Sequence, residues 1–277
     1  MELKASHAAS VTRLHPSGKY IFLIFNILLI YCIPYENQPK PFVMKKIILI
    51  LSLAFTMAVQ AQTEYWTSYT FVVEPQDVQA VYSLVDSYYK AHKPEGVSVR
   101  LFENHFRDHD NNYSHVLVFS GSLDAMGDMY GEGQNESFDL FLSRMNQHLK
   151  EGYSASMGRG VAGYMGGAGP FPFRRMFVVK AEDSDAFEAA FQKMNAEHNP
   201  DGRMIFLGSI TSGRSAAGET HFMIAAFRTF KAALAGVGPL IPANKQDAYD
   251  KAWKEFADTN GGVTMISTSM RVLLGEW

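Results

Sequence analysis

Two histidines hold equivalent places in two similar segments of the chain and are the first candidates for chemistry. His115 follows Ser114 and His221 follows Thr220, and each begins an apolar run typical of a strand. An imidazole in such a place can bind a ligand, transfer a proton or hold a metal ion. It can equally make a structural hydrogen bond with a neighbouring carbonyl group. The sequence leaves both interpretations open, and we expect the two side chains to face a space between two sheets.

Glu103 and His105 are a second candidate, because residues two apart in a strand lie on the same face. A carboxylate beside an imidazole can act as an acid/base pair. The corresponding positions in the second segment are Ser209 and Thr211, which do not titrate, so this chemistry would exist in one half only. Divergence of a duplicated site and drift at an exposed rim would both produce such an asymmetry.

Two short motifs indicate loops rather than binding sites. Residues 108–112 begin like a calcium loop, but Tyr113 and Phe119 stand where that loop has glycine and glutamate. Residues 158–163 match Gly-x-Gly-x-x-Gly, but further glycines and prolines follow in place of the helix that a dinucleotide site needs. We therefore predict no metal site, a solvated turn at 108–112 and a Gly/Pro-rich linker over 158–173.

The elements that must position these residues come from a folding unit that the chain contains twice. Residues 71–119 and 177–225 align without a gap at a constant offset of 106, with ten identical positions. The identical pairs are Phe71/Phe177, Val72/Val178, Val73/Val179, Asp77/Asp183, Ala80/Ala186, His92/His198, Pro94/Pro200, Gly96/Gly202, Leu101/Leu207 and His115/His221. Such self-similarity indicates a duplicated supersecondary unit, which can bury against its twin the surface that one copy would expose.

Hydrophobic periodicity predicts the order strand, helix, strand, strand, helix, strand in each copy. In the first copy the predicted strands are 69–73, 97–102, 115–119 and 153–157, with helices starting near Asp77 and Phe138. In the second copy the predicted strands are 176–180, 204–207, 221–226 and 263–270, with helices over 184–197 and around 248–256. This is an α+β pattern, βαββαβ written twice. Each copy is expected to form a four-stranded antiparallel sheet with two helices on one face.

In this element order and duplication the chain resembles the dimeric α/β-barrel superfamily, which includes antibiotic-biosynthesis monooxygenase-like, EthD-like and NIPSNAP-like proteins. The resemblance implies two ferredoxin-like units, residues 62–157 and 174–277, packed sheet to sheet as an intramolecular barrel. It also implies a monomer with pseudo-two-fold symmetry. The superfamily hosts cofactor-free oxygenation, haem chemistry and ligand binding, so the resemblance assigns no cofactor.

The N-terminal region has the pattern of a signal peptide. Within residues 44–61 a pair of lysines, an apolar stretch and a small-residue cleavage site follow one another, which predicts cleavage before Gln62 and a periplasmic or secreted protein. Residues 1–43 are then an over-called extension of the reading frame. The alternative is a membrane hairpin that includes the apolar run 20–33, but each run is shorter than the roughly 20 residues that span a bilayer.

Charge and cysteine content exclude several classes of function for the exported segment. Residues 62–277 contain 19 Lys and Arg against 26 Asp and Glu, a net charge of minus 7, which would repel phosphate backbones, so we expect no nucleic-acid partner. The single cysteine, Cys32, lies before the predicted cleavage point, so no thiol nucleophile, disulfide or lipid anchor is expected after it.

These observations predict an exported protein that binds a small apolar or aromatic molecule between its two sheets. One alternative is a cofactor-free monooxygenase-like enzyme in which His115, His221 or the Glu103/His105 pair transfers protons. The other is a structural or interaction protein whose cavity is filled by side chains. The sequence assigns neither a cofactor nor a reaction.

Overall fold

A computed structural model describes residues 64–108, 111–131 and 135–277. These residues belong to one compact unit, Gln62–Trp277. The predicted extension 1–43 and signal peptide 44–61 lie outside the described residues. Within the described part, no helix combines the length and apolar character needed to cross a membrane.

Each copy folds into four strands and three α-helices within the described residues. The first copy contains β1 (Tyr65–Val73), α1 (Val78–Ala91), β2 (Val97–Arg107), β3 (His115–Gly121), α2 (Leu123–Gly131), α3 (Glu136–Asn146) and β4 (Leu149–Met165). The second contains β5 (Phe173–Ala181), α4 (Ser184–His198), β6 (Arg203–Ser212), β7 (His221–Phe227), α5 (Phe230–Ala235), α6 (Gln246–Thr259) and β8 (Val263–Glu276). The short helices α2 and α5 were not predicted, because nine and six residues carry little periodic signal.

The eight strands form one closed barrel in the order β1-β3-β2-β8-β5-β7-β6-β4. Every neighbouring pair is antiparallel, including β2 with β8 and β4 with β6, the two pairs that join the copies. Closure gives every strand a neighbour on both sides over at least part of its length. The predicted α+β class, with tandem ferredoxin-like units in an intramolecular barrel, is therefore confirmed.

Alternation along the strands separates an outer, helix-covered face from the inside of the barrel. In β3, Leu117 and Phe119 pack in one core with residues of α1 and α3. Val116 and Val118 instead pack with Phe102 in a separate cluster inside the barrel. A second helix-covered core lies under α4 and α6, and the other internal cluster contains Trp66. Both faces of β3 are thus apolar.

The predicted linker 158–173 is wrong in its first half, since β4 continues through Met165. This half of β4 pairs with β6 and so joins the two copies. A Cβ atom at Gly158 would collide with the carbonyl oxygen of Ser209 and with the indole of Trp66. The glycines that suggest flexibility instead permit two strands to approach closely. Only residues 166–172 connect the copies outside the barrel strands.

The constant offset of 106 also fails in the first strand of each copy. His115 pairs with Phe71 in β1, whereas His221 pairs with Val179 in β5. Phe71 is therefore equivalent to Val179 and not to Phe177. The connection from β1 to α1 has four residues and the connection from β5 to α4 has two, so a gapless alignment misplaces the strand.

The repeated His-x-Pro-x-Gly segments are helix ends, as predicted. His92 caps α1 and His198 ends α4, and the glycines that follow, Gly96 and Gly202, have φ values of 70° and 84°. Those values suit glycine because other residues rarely adopt positive φ.

Candidate functional site

A cavity of about 430 Å³ lies on the outer face of the barrel where β2 ends against β8. Arg107, the last residue of β2, pairs with Ser269, so the part of β8 before Ser269 pairs only with β5. Helix α5 borders the open space. We call this cavity the β2–β8 groove. Its volume falls within the range of small-molecule sites, roughly 300–1,000 Å³.

The walls of the groove are aromatic and aliphatic side chains that face solvent. Between Asn104 and Phe106 the register with β8 shifts, so that His105 is an extra residue and Phe106 pairs with Met270 on the outer face. The Phe106 and Phe230 rings lie 6.0 Å apart between centroids. Phe106 is 53% exposed, and Leu234 of α5 is 74% exposed. Clustered apolar exposure of this kind marks a binding surface more often than isolated apolar residues do.

Charged groups occupy the same groove. The Arg175 guanidinium lies 5.3 Å from the centre of the Phe177 ring. In the described part of the chain no carboxylate forms an ion pair with Arg175. Asp108 is already engaged, because its Oδ2 accepts a hydrogen bond of 2.9 Å from the backbone N–H of Thr268. An unpaired guanidinium beside aromatic walls can bind an anionic group of an aromatic ligand.

Glu103 and His105 lie next to each other, as the sequence predicted, and the structure places them at the rim of the groove. His105 Nδ1 lies 3.0 Å from Glu103 Oε1, and both side chains are about half exposed. The His105 ring stands edge-on to Phe106, with 4.7 Å between ring centres. The β-bulge places this pair beside the aromatic wall, where the imidazole can exchange a proton with a bound molecule.

His115 lies on the helix-covered face, stacked on Phe71 at 6.0 Å between ring centres. Its Nδ1 hydrogen-bonds the Ser114 hydroxyl at 2.9 Å, and its buried Nε2 has no partner among the described residues. Burial lowers its pKa; the charge of Glu103, its neighbour on β2, opposes this shift, and Arg107 reinforces it. Glu103 therefore lies between two histidines, one exposed and one buried.

His221 also faces the helices but has a fuller set of partners. Its Nδ1 lies 2.8 Å from Thr220 Oγ1, and its Nε2 lies 3.2 Å from Glu188 Oε1 on α4. Glu188 also accepts a hydrogen bond of 3.0 Å from Arg159. Burial lowers the pKa of His221 even though the Glu188 carboxylate favours the charged form.

The prediction that His115 and His221 face the space between the sheets is therefore wrong. Both side chains lie on the outer face of the barrel, where His115 stacks on Phe71 and His221 contacts Phe187 of α4. Because both faces of the strands are apolar, alternation alone could not distinguish the inside from the outside. The centre of the barrel is packed, with the Trp66 and Phe222 rings 4.9 Å apart. The predicted ligand space between the sheets is filled at this point by side chains.

A buried pair inside the barrel, Tyr113 and Arg271, was not predicted from the sequence. Arg271 Nη2 donates a hydrogen bond of 2.8 Å to the Tyr113 hydroxyl, and Asn111 Nδ2 donates one of 3.4 Å. Burial raises the pKa of Tyr113, but the Arg271 charge and hydrogen bonds from Arg271, Asn111 and Ser269 together lower it below the usual tyrosine value. A lone arginine within the apolar run Met270–Leu274 is the sequence signal that could have pointed to this pair.

No family model matches the chain, and no curated protein sequence matches it. Solved structures do match in fold. An anthrone oxidase-like protein is 11% identical with a TM-score of 0.50, covering 79% of this chain and 94% of its own. A candidate monooxygenase from Fusobacterium nucleatum is 11% identical with a TM-score of 0.51, covering 78% and 95%. Another from Lactobacillus acidophilus is 13% identical with a TM-score of 0.52, covering 77% and 100%. At these identities the likeness shows the fold alone.

Proposed function

We propose that this chain, which has the fold of the dimeric α/β-barrel superfamily, binds a small aromatic molecule with an acidic group in the β2–β8 groove. The observation that carries the proposal is the position of Arg175 in a groove walled by Phe106 and Phe230, where no carboxylate of the described residues forms an ion pair with it. The proposal keeps the apolar or aromatic ligand expected from the sequence. It moves the site from the space between the sheets to the outside of the barrel.

The two parts of such a ligand would be bound by different forces. Its ring would cover the exposed surfaces of Phe106, Phe230 and Leu234, and apolar burial contributes about 25 cal/mol per Å². Its anionic group would form a charge-assisted hydrogen bond with Arg175, roughly twice as strong as a neutral one. The net negative charge of residues 62–277 works against anions in general, so the selectivity must come from this local cation.

Anilinonaphthalenesulfonate, a fluorescent aromatic sulfonate, is a direct probe of this groove. The unmodified protein should bind it at one site, and Arg175→Gln and Leu234→Glu should each weaken binding about tenfold or more. Leu123→Glu is the matched control for Leu234→Glu, because Leu123 is a similarly exposed leucine in α2, the equivalent helix of the first copy. Equal losses in Leu123→Glu and Leu234→Glu would refute the location.

The second candidate function is cofactor-free oxygenation at the same groove, favoured by the Glu103–His105 pair at its rim. His105 would remove a proton from a phenolic or similarly acidic ring, and Glu103 would hold the imidazole in the required orientation. The resulting electron-rich anion would react with molecular oxygen. The solved structures named as an anthrone oxidase-like protein and as candidate monooxygenases agree with this class of reaction.

Oxygen consumption with an anthrone as substrate tests this second candidate. His105→Gln should abolish turnover while sulfonate binding persists, and His92→Gln, at a helix end away from the groove, should leave the rate unchanged. Turnover that survives His105→Gln would remove His105 from the mechanism. A protein that neither binds the sulfonate nor consumes oxygen would support the structural role considered from the sequence.

We also propose that the protein acts outside the cytoplasm. The support is the charge and apolar pattern of residues 44–61, which lie outside the described residues. Cell fractionation of the source organism should find the protein in the periplasm or the medium. Recovery from the cytoplasm with an intact N-terminus would exclude export.

A further inference from the structure

Three polar side chains on neighbouring strands form a row inside the barrel. Asn104 of β2 pairs with Arg271 of β8, and Arg271 pairs in turn with Arg174 of β5. Residues directly opposite each other in a sheet project to the same face. Phe102, two residues before Asn104, and Leu273, two residues after Arg271, belong to an internal cluster of the barrel. Alternation along the strands therefore places all three side chains of the row inside.

The two arginines of this row bring positive charge into the interior without matching negative charge. Among the described residues, no carboxylate forms an ion pair with Arg174 or Arg271. Glu276 at the end of β8 is already bound by Arg100, with 2.7 Å between Oε1 and Nε. Burial lowers the pKa of Arg174 to about 10; Arg100 and Arg271 add to this shift, and Glu276 and Glu64 oppose it. An anion at the row would remove the imbalance.

The Arg174 side chain extends across β8 toward β2. Its guanidinium carbon lies 4.6 Å from the centre of the Phe102 ring, which brings the charged group close to Asn104 on the same face of β2. Its one hydrogen bond within the described residues is long, at 3.5 Å from Nε to the Phe171 carbonyl oxygen. A guanidinium has five N–H donors in a fixed plane. Most of the donors of Arg174 therefore have no acceptor among the described residues.

Two more atoms of the row are buried and have no hydrogen-bond partner within the described residues, namely Arg271 Nε and Asn104 Oδ1. Arg271 Nη2 donates a hydrogen bond of 2.8 Å to the Tyr113 hydroxyl. Asn104 Nδ2 donates one of 3.2 Å to the Tyr113 carbonyl oxygen, and this bond fixes the orientation of the amide. The row thus offers donors from both arginines and one acceptor from Asn104. Buried polar atoms of this kind indicate a bound water molecule or ligand.

The interior around the row is not completely filled. Val118 of β3 and Leu273 of β8 pack against the internal cluster that contains Phe102, yet both are only partly buried. Helices cover the outer face of β3, so the exposed part of Val118 faces the inside of the barrel. Arg174 is also partly exposed, which leaves the row accessible to a small ion.

We propose that this row binds a small inorganic oxyanion that carries a proton, with hydrogen phosphate as the probe. The oxygens of the anion accept charge-assisted hydrogen bonds from Arg174 and from Arg271 Nε, and its hydroxyl group donates to Asn104 Oδ1. Sulfate has no proton to donate near neutral pH and leaves Asn104 Oδ1 without a partner. Because consecutive residues of β5 face opposite sides, this site is separate from Arg175 and the β2–β8 groove.

Calorimetric titration of inorganic phosphate into the unmodified protein, at neutral pH in a phosphate-free buffer, tests the site without any variant. One phosphate should bind per chain. Sulfate should bind at least about tenfold more weakly, because a buried acceptor without a partner is unfavourable. Absence of phosphate binding would overturn the proposal. Equal affinities for phosphate and sulfate would refute the role of Asn104.

Arg174→Gln and Arg175→Gln are a matched pair on opposite faces of one strand. Arg174→Gln should weaken phosphate binding at least about tenfold and leave the binding of anilinonaphthalenesulfonate unchanged. Arg175→Gln should weaken sulfonate binding and leave phosphate binding unchanged. If the two variants reduce phosphate binding equally, the phosphate does not bind inside the barrel and the proposal is wrong. Phosphate binding without sulfonate binding in the unmodified protein would support this site and exclude the groove function.

Urea unfolding gives a second readout and also shows whether Arg174→Gln is folded. Phosphate should move the unfolding midpoint of the unmodified protein to a higher urea concentration, because a ligand of the folded state stabilises it. Without phosphate, Arg174→Gln should be at least as stable as the unmodified protein, since it has one unpaired charge fewer inside the barrel. Phosphate should then leave its midpoint unchanged. An equal phosphate-dependent shift in both proteins would contradict binding at Arg174.

Discussion

Acidification from pH 7 to pH 5 should destabilise the protein through His115 and His221. Both imidazoles are buried, at 2% exposure, and burial lowers the pKa of each in the folded state. The unfolded chain, with histidine pKa values near 6.5, therefore binds more protons below that pH than the folded protein does. Stability is present above about pH 6.5 and falls as the pH decreases.

The size of the loss follows from the number of protons involved. Each buried histidine that stays neutral lowers the free energy of unfolding by up to about 1.4 kcal/mol for every pH unit below 6.5, or by about 2 kcal/mol at pH 5. The two together give a ceiling of about 4 kcal/mol, a large part of a typical domain's 5–15 kcal/mol. His221 should contribute less than His115, because Glu188 favours its charged form. The carboxylates with lowered pKa values, such as Glu276, lose their contribution only at lower pH.

Urea unfolding at pH 7 and pH 5 measures this directly. His115→Gln and His221→Gln should each reduce the difference between the two free energies of unfolding, whatever their effect at pH 7 alone. The exposed His92 supplies the control, and His92→Gln should retain the full difference. If His115→Gln and His221→Gln lose as much stability on acidification as the unmodified protein does, burial is not what keeps these imidazoles neutral, and the reasoning is wrong.

Three further predictions concern the barrel seam, a helix end and the chain terminus. Gly158→Ala should cost roughly 1–3 kcal/mol in the free energy of unfolding, whereas Gly152→Ala in the same strand, where a Cβ atom meets nothing within 4 Å, should cost under about 0.5. Equal costs would contradict the close packing of the seam. Asp183→Ala removes the side-chain acceptor of the Ala186 N–H and should lower the free energy of unfolding by about 1 kcal/mol; an unchanged free energy would contradict this capping role. N-terminal sequencing of the exported protein should begin at Gln62, and any earlier start would contradict the cleavage site.

Element order could be predicted from the sequence because it depends on local patterns. The two copies share apolar spacing, and the helix ends that precede Gly96 and Gly202 follow from residue types alone. Antiparallel closure of the barrel then follows from the need to cover the second apolar face of each sheet. The residue pattern within a single strand or helix is enough to predict these features.

The direction of the side chains could not be predicted, because it depends on contacts between distant strands. His115 stands in a strand with apolar residues on both faces, so its outward position is fixed only when Phe71 and α1 pack against it. Phe106 reaches the groove through a bulge that no residue pattern in β2 announces. Tyr113 lies in a loop, and its contact with Arg271 spans 158 residues.

The glycine-rich segment is a second case in which the local sequence could not predict the structural role of its residues. Glycines at 158, 160 and 163 predict flexibility when only their conformational freedom is considered. In the barrel, Gly158 lies against Ser209 and Gly160 against Phe206, so the missing side chains serve close packing. Whether a glycine bends the chain or lets another strand approach is decided by the neighbour, which the local sequence does not contain.

Because residues 166–172 join the two copies in one chain, each copy can acquire substitutions that the other does not share. A barrel assembled from two identical chains must change both halves with every mutation, so an alteration that benefits one site alters the other as well. Here Glu188 partners His221, whereas His115 Nε2 has no such partner among the described residues, and the β2–β8 groove contains Arg175 of the second copy beside Phe106 of the first. One half can therefore acquire a specialised site while the other preserves the barrel, and selection can act on each at its own rate.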